Sequence, residues 1–271
     1  MEKKLIMNIN NLFSLKNKNV LLTGATGHLG TSLAWGLADA GACVYINSRS
    51  KKKCLDLVNK IKDKNLKAES AVFDITNKKL ISKFAKLIKN LPLDCIINNA
   101  YSGASGTIKS SDNKSYIESY NVSVVSAHNL INGLINNLRY AVKISGDASF
   151  INIASMYGLV SPDLRIYGSP KDSNPPFYGA AKAALLQWTR YAACEFASEK
   201  IRFNSISPGA FPSLISKKKH QYLIKKLNYK IPLGRIGQPQ ELIGAVVLLS
   251  AKSGSYITGS NITLDGGLTC W

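Results

Sequence analysis

From Val20 to the C-terminus, short β-branched apolar runs alternate with longer stretches of helical periodicity. "NVLLTG" reads as a first strand, and the helix over "TSLAWGLADAG" that follows it stops at Gly41. "ACVYINS", "AESAVFD" and "LDCIINNA" read as strands two to four. Between them lie a lysine-rich helix to about Lys64 and a helix over "KKLISKFAKLIKN". A long helix from about Ser115 to Lys143 leads to strand five, "ASFINIAS". A helix opening near Tyr178 precedes strand six, "IRFNSISP", and a helix from Gln240 to Ser250 precedes strand seven, "NITLDGG".

Strict strand–helix alternation implies a parallel sheet covered on both faces. With right-handed crossovers this is an α/β fold, a Rossmann-type doubly wound parallel sheet of about seven strands with helices on both faces. A chain of 271 residues with 45% hydrophobic composition can bury such a core. No composition break divides it, so a single domain is expected over 19–271, behind a short N-terminal leader, 1–18.

Several classes are set aside by composition. No apolar run approaches the length of about eighteen residues needed to span a membrane, and the N-terminus lacks the apolar core of a signal peptide. Five scattered cysteines without a CxxC fit reduced thiols, so a cytoplasmic location and no metal site are expected. His28, His128 and His220 have no ligand-like spacing. The charge is high, 35 Lys+Arg against 16 Asp+Glu, formally +19. Its lysines lie singly or in short runs beside helices and loops, without the aromatic interleaving of an RNA-binding motif. No nucleic-acid partner is expected.

The first strand–helix turn is "TGATGHLG". Glycines here let the backbone turn tightly and approach a pyrophosphate at the helix N-terminus. Gly24, Thr26, Gly27, His28, Leu29 and Gly30 are therefore candidate dinucleotide contacts. At the end of strand two an acid would bond both ribose hydroxyls and repel a 2′-phosphate. This chain instead has Ser48 and Arg49, which favours NADP(H), with NAD(H) possible.

Ligands in such sheets lie beyond the carboxyl ends of the strands. Asn99 follows strand four, Ser155 follows strand five, and Tyr178 opens the next helix with Lys182 one turn on, on the same face. At this point the chain resembles the short-chain dehydrogenase/reductase family from Asn19 onward. The resemblance rests on "TGATGHLG", "FDIT", "NNA", "SYNVSV", "NIASMYG", "YGAAK", "RFNSISPG" and "TLDGG", in that order.

The resemblance implies an NAD(P)-dependent oxidoreductase. In it Tyr178 would donate or accept the proton, Lys182 would assist, Ser155 would bond the reacting oxygen, and Asn121 would hold a relay water. Asp74 and Ile75 would meet adenine, Asn99 and Ala100 would line the cofactor, and Pro208, Gly209 and Ser213 would lie near nicotinamide. Free tyrosine titrates near ~10, so a base at neutrality needs a drop of about three units, roughly 4 kcal/mol. An ammonium about 4 Å away at an effective dielectric of ~20 is worth about that much. Lys182, helped by the charge of the oxidised nicotinamide, is expected to supply it.

Three departures stand out. His28 stands where the family's classical branch has glycine, as in the sugar-nucleotide epimerase and dehydratase branch. Tyr101 follows "NNA" where glycine is usual, placing a large ring on the substrate side. The segment between Ser155 and Tyr178 is enlarged and reads as an ordered loop over the pocket. A substrate lid is expected around 210–235, where "SKKKHQYLIKKLNYKIPLGRIGQP" is strongly basic. "SMYG", "PPFYGAAKAAL" and "NNAY" are similar to classical-type members of the family associated with surface-polysaccharide and sialic-acid-like sugar pathways and, more loosely, to sugar-acid dehydrogenases. That similarity implies a sugar-derived small-molecule substrate, and the basic charge fits an anionic one, carboxylate or nucleotide-linked. The alternatives are an epimerase or dehydratase holding NAD(P) tightly, and a non-catalytic dinucleotide sensor. The resemblance also implies a homo-oligomer, tetramer or dimer.

Overall fold

The computed structural model describes residues 8–213 and 221–271. Seven strands form one sheet: β1 Asn19–Leu22, β2 Cys43–Ser48, β3 Lys67–Val72, β4 Cys95–Asn98, β5 Ala148–Ile153, β6 Ile201–Pro208 and β7 Asn261–Leu264. Their order is β3-β2-β1-β4-β5-β6-β7, and every neighbouring pair is parallel. The order reverses between β1 and β4, so a crevice opens at their carboxyl ends. That is where the chain's glycine turn and its "NNA" meet.

The described α-helices are α1 Ile9–Phe13, α2 His28–Asp39, α3 Lys51–Lys62, α4 Lys78–Leu87, α5 Asn113–Tyr120, α6 Ser126–Ser145, α7 Pro176–Phe196, α8 Gln221–Lys230 and α9 Ile243–Ser250. Side chains in the sequence set several of their starts. Ser50, Asn77 and Asp112 each accept a backbone N–H of the first turn, opening α3, α4 and α5. Gly146, at φ +89°, ends α6.

Both faces of the sheet are buried, which is why β5 and β6 carry no solvent-facing position. On one face Leu33 and Leu37 of α2 and Leu57 and Ile61 of α3 pack toward β1 and β2, and Val246 and Leu249 of α9 toward β5 and β6. On the other, Leu130, Leu134 and Leu138 of α6 and Leu185 of α7 cover β4 to β6. Phe203 stacks on Phe150 and Phe196, with both centroid distances 5.2 Å. Each such buried side chain contributes about 1.5–3 kcal/mol.

The long helix expected from Ser115 to Lys143 is interrupted. Between α5 and α6, residues Asn121–Val125 form a π turn in which the Ser126 N–H bonds the Asn121 carbonyl, five residues back. The Ser126 hydroxyl donates to the Val122 carbonyl at 2.5 Å. One residue of widening leaves the apolar pattern readable as a helix, so periodicity does not show it. The helix expected from Gln240 begins instead as a 3₁₀ turn, Pro239–Leu242. Strand three, expected to reach Asp74, ends at Val72. There Asn47 Nδ2 holds the Ala71 and Phe73 carbonyls at 2.8 and 3.1 Å, and Asp74 Oδ1 accepts the Thr76 N–H at 2.9 Å.

Part of the expected leader, residues 1–7, lies outside the described residues. Further along it, Leu15 is fully buried in the core, its N–H bonded to the Ala40 carbonyl. Of the expected lid, residues 214–220, with Lys217, Lys218, Lys219 and His220, also lie outside the described residues.

Candidate active site

The turn after β1 leaves no room for side chains. Gly24 has a φ of +61°, and a Cβ there would lie 2.7 Å from the Cα of Ala100. A Cβ at Gly30 would collide with the Gly24 carbonyl and come within 2.8 Å of the Ala25 Cα. Thr23 fastens this turn to the end of β4: its Oγ1 accepts the N–H groups of Asn99 at 2.9 Å and Ala100 at 3.1 Å. Asn99 Nδ2 returns the bond to the Thr23 and Gly24 carbonyls. The Asn99 amide group thus holds the turn itself. No side chain caps α2 at Gly27, so first-turn amides are left for an anionic ligand.

A cavity of about 1080 Å³ runs from this turn across the strand ends. Every residue singled out from the sequence as a cofactor or catalytic candidate lines it, except Ser213. It also takes in Asn47, at the end of β2, and Lys53, Glu118 and Phe211, which sequence reasoning left out. Lys53 is three residues past Ser50, the α3 N-cap, and joins the exposed Arg49 at the end of β2. The helix start there was the signal that could have found it.

At the other end of the cavity, Ser155 follows β5 and is nearly buried. Its Oγ accepts the Tyr157 N–H at 3.1 Å, opening the turn Met156–Gly158. Two glycines press this turn onto α7. A Cβ at Gly158 would lie 2.9 Å from the Lys182 carbonyl carbon, and one at Gly179 would lie 2.8 Å from the Tyr157 oxygen. Pro175 and Pro176 start α7 where a missing N–H costs nothing. Tyr178 and Lys182 therefore face Ser155 from the first turns of that helix.

Lys182 is 4% exposed, and its Nζ donates to the Ile153 carbonyl at 2.7 Å. It lies 5.2 Å from the Tyr101 ring centroid and 5.7 Å from that of Tyr178. Desolvation pulls its pKa down to about 7. Burial pushes the Tyr178 phenol up, while a hydrogen bond to Ser155 works the other way. The lowering expected of Tyr178 counts on the charge of an oxidised nicotinamide as well as on Lys182, so it belongs to the cofactor-bound site. The ammonium is turned to the Ile153 carbonyl and the ring faces, and burial dominates the phenol.

The enlarged segment before α7 is ordered by its own contacts. Tyr157 and Tyr167 share a hydroxyl–hydroxyl bond of 3.1 Å. Ser173 donates to the Gly106 carbonyl at 2.8 Å. Ile166 packs with Leu227, Ile231 and Ile236, joining the segment to α8. Asp163 pairs with Arg165 and Lys230, which hold its carboxyl well below the usual range. The Trp271 indole donates to the Lys230 carbonyl at 3.3 Å, so the C-terminus packs on its own chain. Among the described residues no acid, histidine and cysteine cluster is placed to hold a metal, and no helix is long and apolar enough to cross a membrane.

A family profile described as enoyl-(acyl carrier protein) reductase matches residues 24–269. The chain belongs to the short-chain dehydrogenase/reductase family. It is accordingly an NAD(P)-dependent oxidoreductase of that family, and the glycine cradle, uncapped helix start and strand-end crevice fit a dinucleotide. It is 29% identical to a rhamnolipids biosynthesis 3-oxoacyl-[acyl-carrier-protein] reductase of Pseudomonas aeruginosa, over 94% of this chain and 97% of that one. It is 30% identical to 5-keto-D-gluconate 5-reductase of Escherichia coli, over 96% and 98%. Among solved structures of the short-chain dehydrogenase/reductase type, the Pseudomonas aeruginosa RhlG/NADP active-site complex superposes with a TM-score of 0.85. That chain shares 28% identity, with 97% of this chain and 100% of that one covered.

Proposed function

We propose that this oxidoreductase interconverts an alcohol and a carbonyl on a sugar-derived, anionic small molecule, with NADP(H) preferred. The observation that carries the reading is the convergence of Asn121, Ser155, Tyr178 and Lys182 on the cavity that the glycine turn and Arg49 also line. The nicotinamide, when bound, supplies or takes the hydride. In reduction the Tyr178 hydroxyl gives its proton to the substrate oxygen, and Ser155 Oγ donates a hydrogen bond to the charge developing there. Burial raises the phenol and the hydrogen bond to Ser155 works against that rise. Lys182, one turn on along the same helix, would assist Tyr178. The π turn at Asn121 places that residue on the cavity wall, where it would hold the relay water.

Arg49 and Lys53, with Ser48 beside them and no acid at the end of β2, support a 2′-phosphate there. Pro208 and Gly209 support the nicotinamide end, and Asp74, Ile75 and Ala100 the adenosine side. Ser213 has no such support from the cavity. The similarity to the gluconate reductase and a substrate end lined by Tyr101, Ser102, Glu118, Asn121 and Ser155 support a polyhydroxylated substrate over a long acyl chain. Tyr116, Ile117 and Tyr120 of α5 and Ala180 and Ala184 of α7 line an apolar groove of about 570 Å³, which supports pairing of two copies into a dimer or tetramer. Sedimentation of the purified protein decides that point.

The test is cofactor oxidation with 5-keto-D-gluconate and, separately, acetoacetyl-coenzyme A, each with NADPH and NADH. Turnover of the sugar acid with NADPH is expected. Turnover of the thioester alone would overturn the substrate class, and a preference for NADH would overturn the cofactor assignment.

A further inference from the structure

Tyr101 stands in a loop built to hold its ring. Its hydroxyl lies 2.9 Å from Ser119 Oγ, and Ser119 Oγ donates to the Phe177 carbonyl at 3.1 Å. Because the serine proton is committed to that carbonyl, the Tyr101 hydroxyl is the donor to Ser119. The chain of bonds joins the loop after β4, the end of α5 and the residue preceding Tyr178. Gly103 gives the ring its clearance, since a Cβ there would lie 2.8 Å from the Tyr101 hydroxyl oxygen and 2.9 Å from its Cε1. The ring meets Tyr178 edge-on, with centroids 4.8 Å apart and planes at 70°, and the Lys182 ammonium lies toward its face.

We propose that Tyr101 is a specificity-determining residue: its latched ring is the wall of the substrate chamber beside Tyr178. It admits slim carbonyl compounds and turns away those carrying a bulky group next to the reacting carbon. The inference rests on Tyr178 being the proton donor. Tyr101 itself moves no proton, because its hydroxyl is spent on Ser119. Three features fix the ring: the Ser119 partner, the glycine beneath it and the edge contact to Tyr178. A ring so anchored cannot swing aside for a wide substrate without breaking a half-buried hydrogen bond.

The experiment compares NADPH-dependent reduction of butane-2,3-dione and of the bulkier 1-phenylpropane-1,2-dione. The proteins are the full chain, Tyr101→Gly, Tyr101→Phe, Ser119→Ala and Tyr178→Phe. Tyr101→Gly is expected to raise kcat/KM for the phenyl diketone about tenfold relative to the slim one. Tyr101→Phe keeps the ring and is expected to hold the ratio within about twofold, while Ser119→Ala loosens it to an intermediate value. A residue with a merely structural role would lower both diketones together. No gain on the phenyl diketone in Tyr101→Gly, or an equal gain in Tyr101→Phe, overturns the proposal. Turnover surviving in Tyr178→Phe overturns the proton-donor reading instead, so the two failures are distinct.

Discussion

Lys182 Nζ donates to the carbonyl of Ile153, the last residue of β5, at 2.7 Å. The bond ties the helix that carries Tyr178 to the strand that delivers Ser155 two residues later. It also gives a fully desolvated ammonium a partner, because a buried charge without one is strongly unfavourable. Neighbouring polar groups brace the same junction from behind. Asn98 Nδ2 bonds Asn152 Oδ1 at 3.0 Å, and Asn152 Nδ2 bonds Thr189 Oγ1 on α7 at 2.9 Å.

Burial of Lys182 makes stability depend on pH. Its folded pKa, about 7, lies below its unfolded value of 10.5, so the folded state disfavours the proton. The resulting destabilisation is complete below pH ~7 and disappears as pH rises toward ~10.5. Lys182→Met is therefore expected to stabilise the cofactor-free protein by on the order of 3 kcal/mol near neutrality, after the lost Ile153 bond is deducted. Urea titrations at several pH values should show that gain shrinking as pH rises. A constant difference would contradict it.

Tyr178→Phe removes one oxygen and no packing surface. Turnover is expected to fall by about 10³-fold while NADPH binding, followed by its fluorescence, stays within about twofold. The ring contact with Tyr101 is kept, so the melting temperature should hardly move.

Arg49 is exposed beside the cavity, with Lys53 near it. Arg49→Asp replaces a cation facing the 2′-phosphate position by a group suited to two ribose hydroxyls. The ratio of NADPH to NADH affinity is expected to drop by about 100-fold, and Lys53→Ala alone to lower it by about fivefold. Fluorescence titrations at fixed salt measure both. An unchanged ratio in Arg49→Asp would mean that the 2′-phosphate sits elsewhere.

Gly24→Ala places a Cβ against Ala100 in a backbone conformation with φ +61°. The expected cost is about 2 kcal/mol, with loss of dinucleotide binding because the turn and the end of β4 must separate. Gly146→Ala serves as the comparison. It too has positive φ, but a Cβ there meets nothing within 4 Å, so it should cost only about 1 kcal/mol and leave binding intact.

Much of the fold was legible because periodicity and punctuation are local. The runs of strand residues sit within a few positions of where they were expected, and β6 matches the stretch "IRFNSISP" end to end. The parallel sheet and its strand-end crevice followed from alternation and right-handed crossovers, while the strand order itself is read from the structure. The π turn at Asn121 was not legible, since widening a helix by one residue leaves its apolar spacing intact. Nor was the buried part of the leader, where Leu15 joins a core that only the assembled helices create.

By itself the sequence determined the doubly wound sheet, the glycine turn and the residues that meet at the strand ends, because hydrophobic period, φ-permissive glycines and helical spacing are properties of short stretches. The tertiary structure decided the charge state and the neighbours. Burial pulls Lys182 toward neutrality and directs it to Ile153 rather than at the Tyr178 oxygen. Packing sets Lys53 beside Arg49 on the cavity wall. It also draws Ser119, eighteen residues away, onto Tyr101. Desolvation and long-range contact depend on what the whole chain excludes from water, and no stretch of sequence carries that alone.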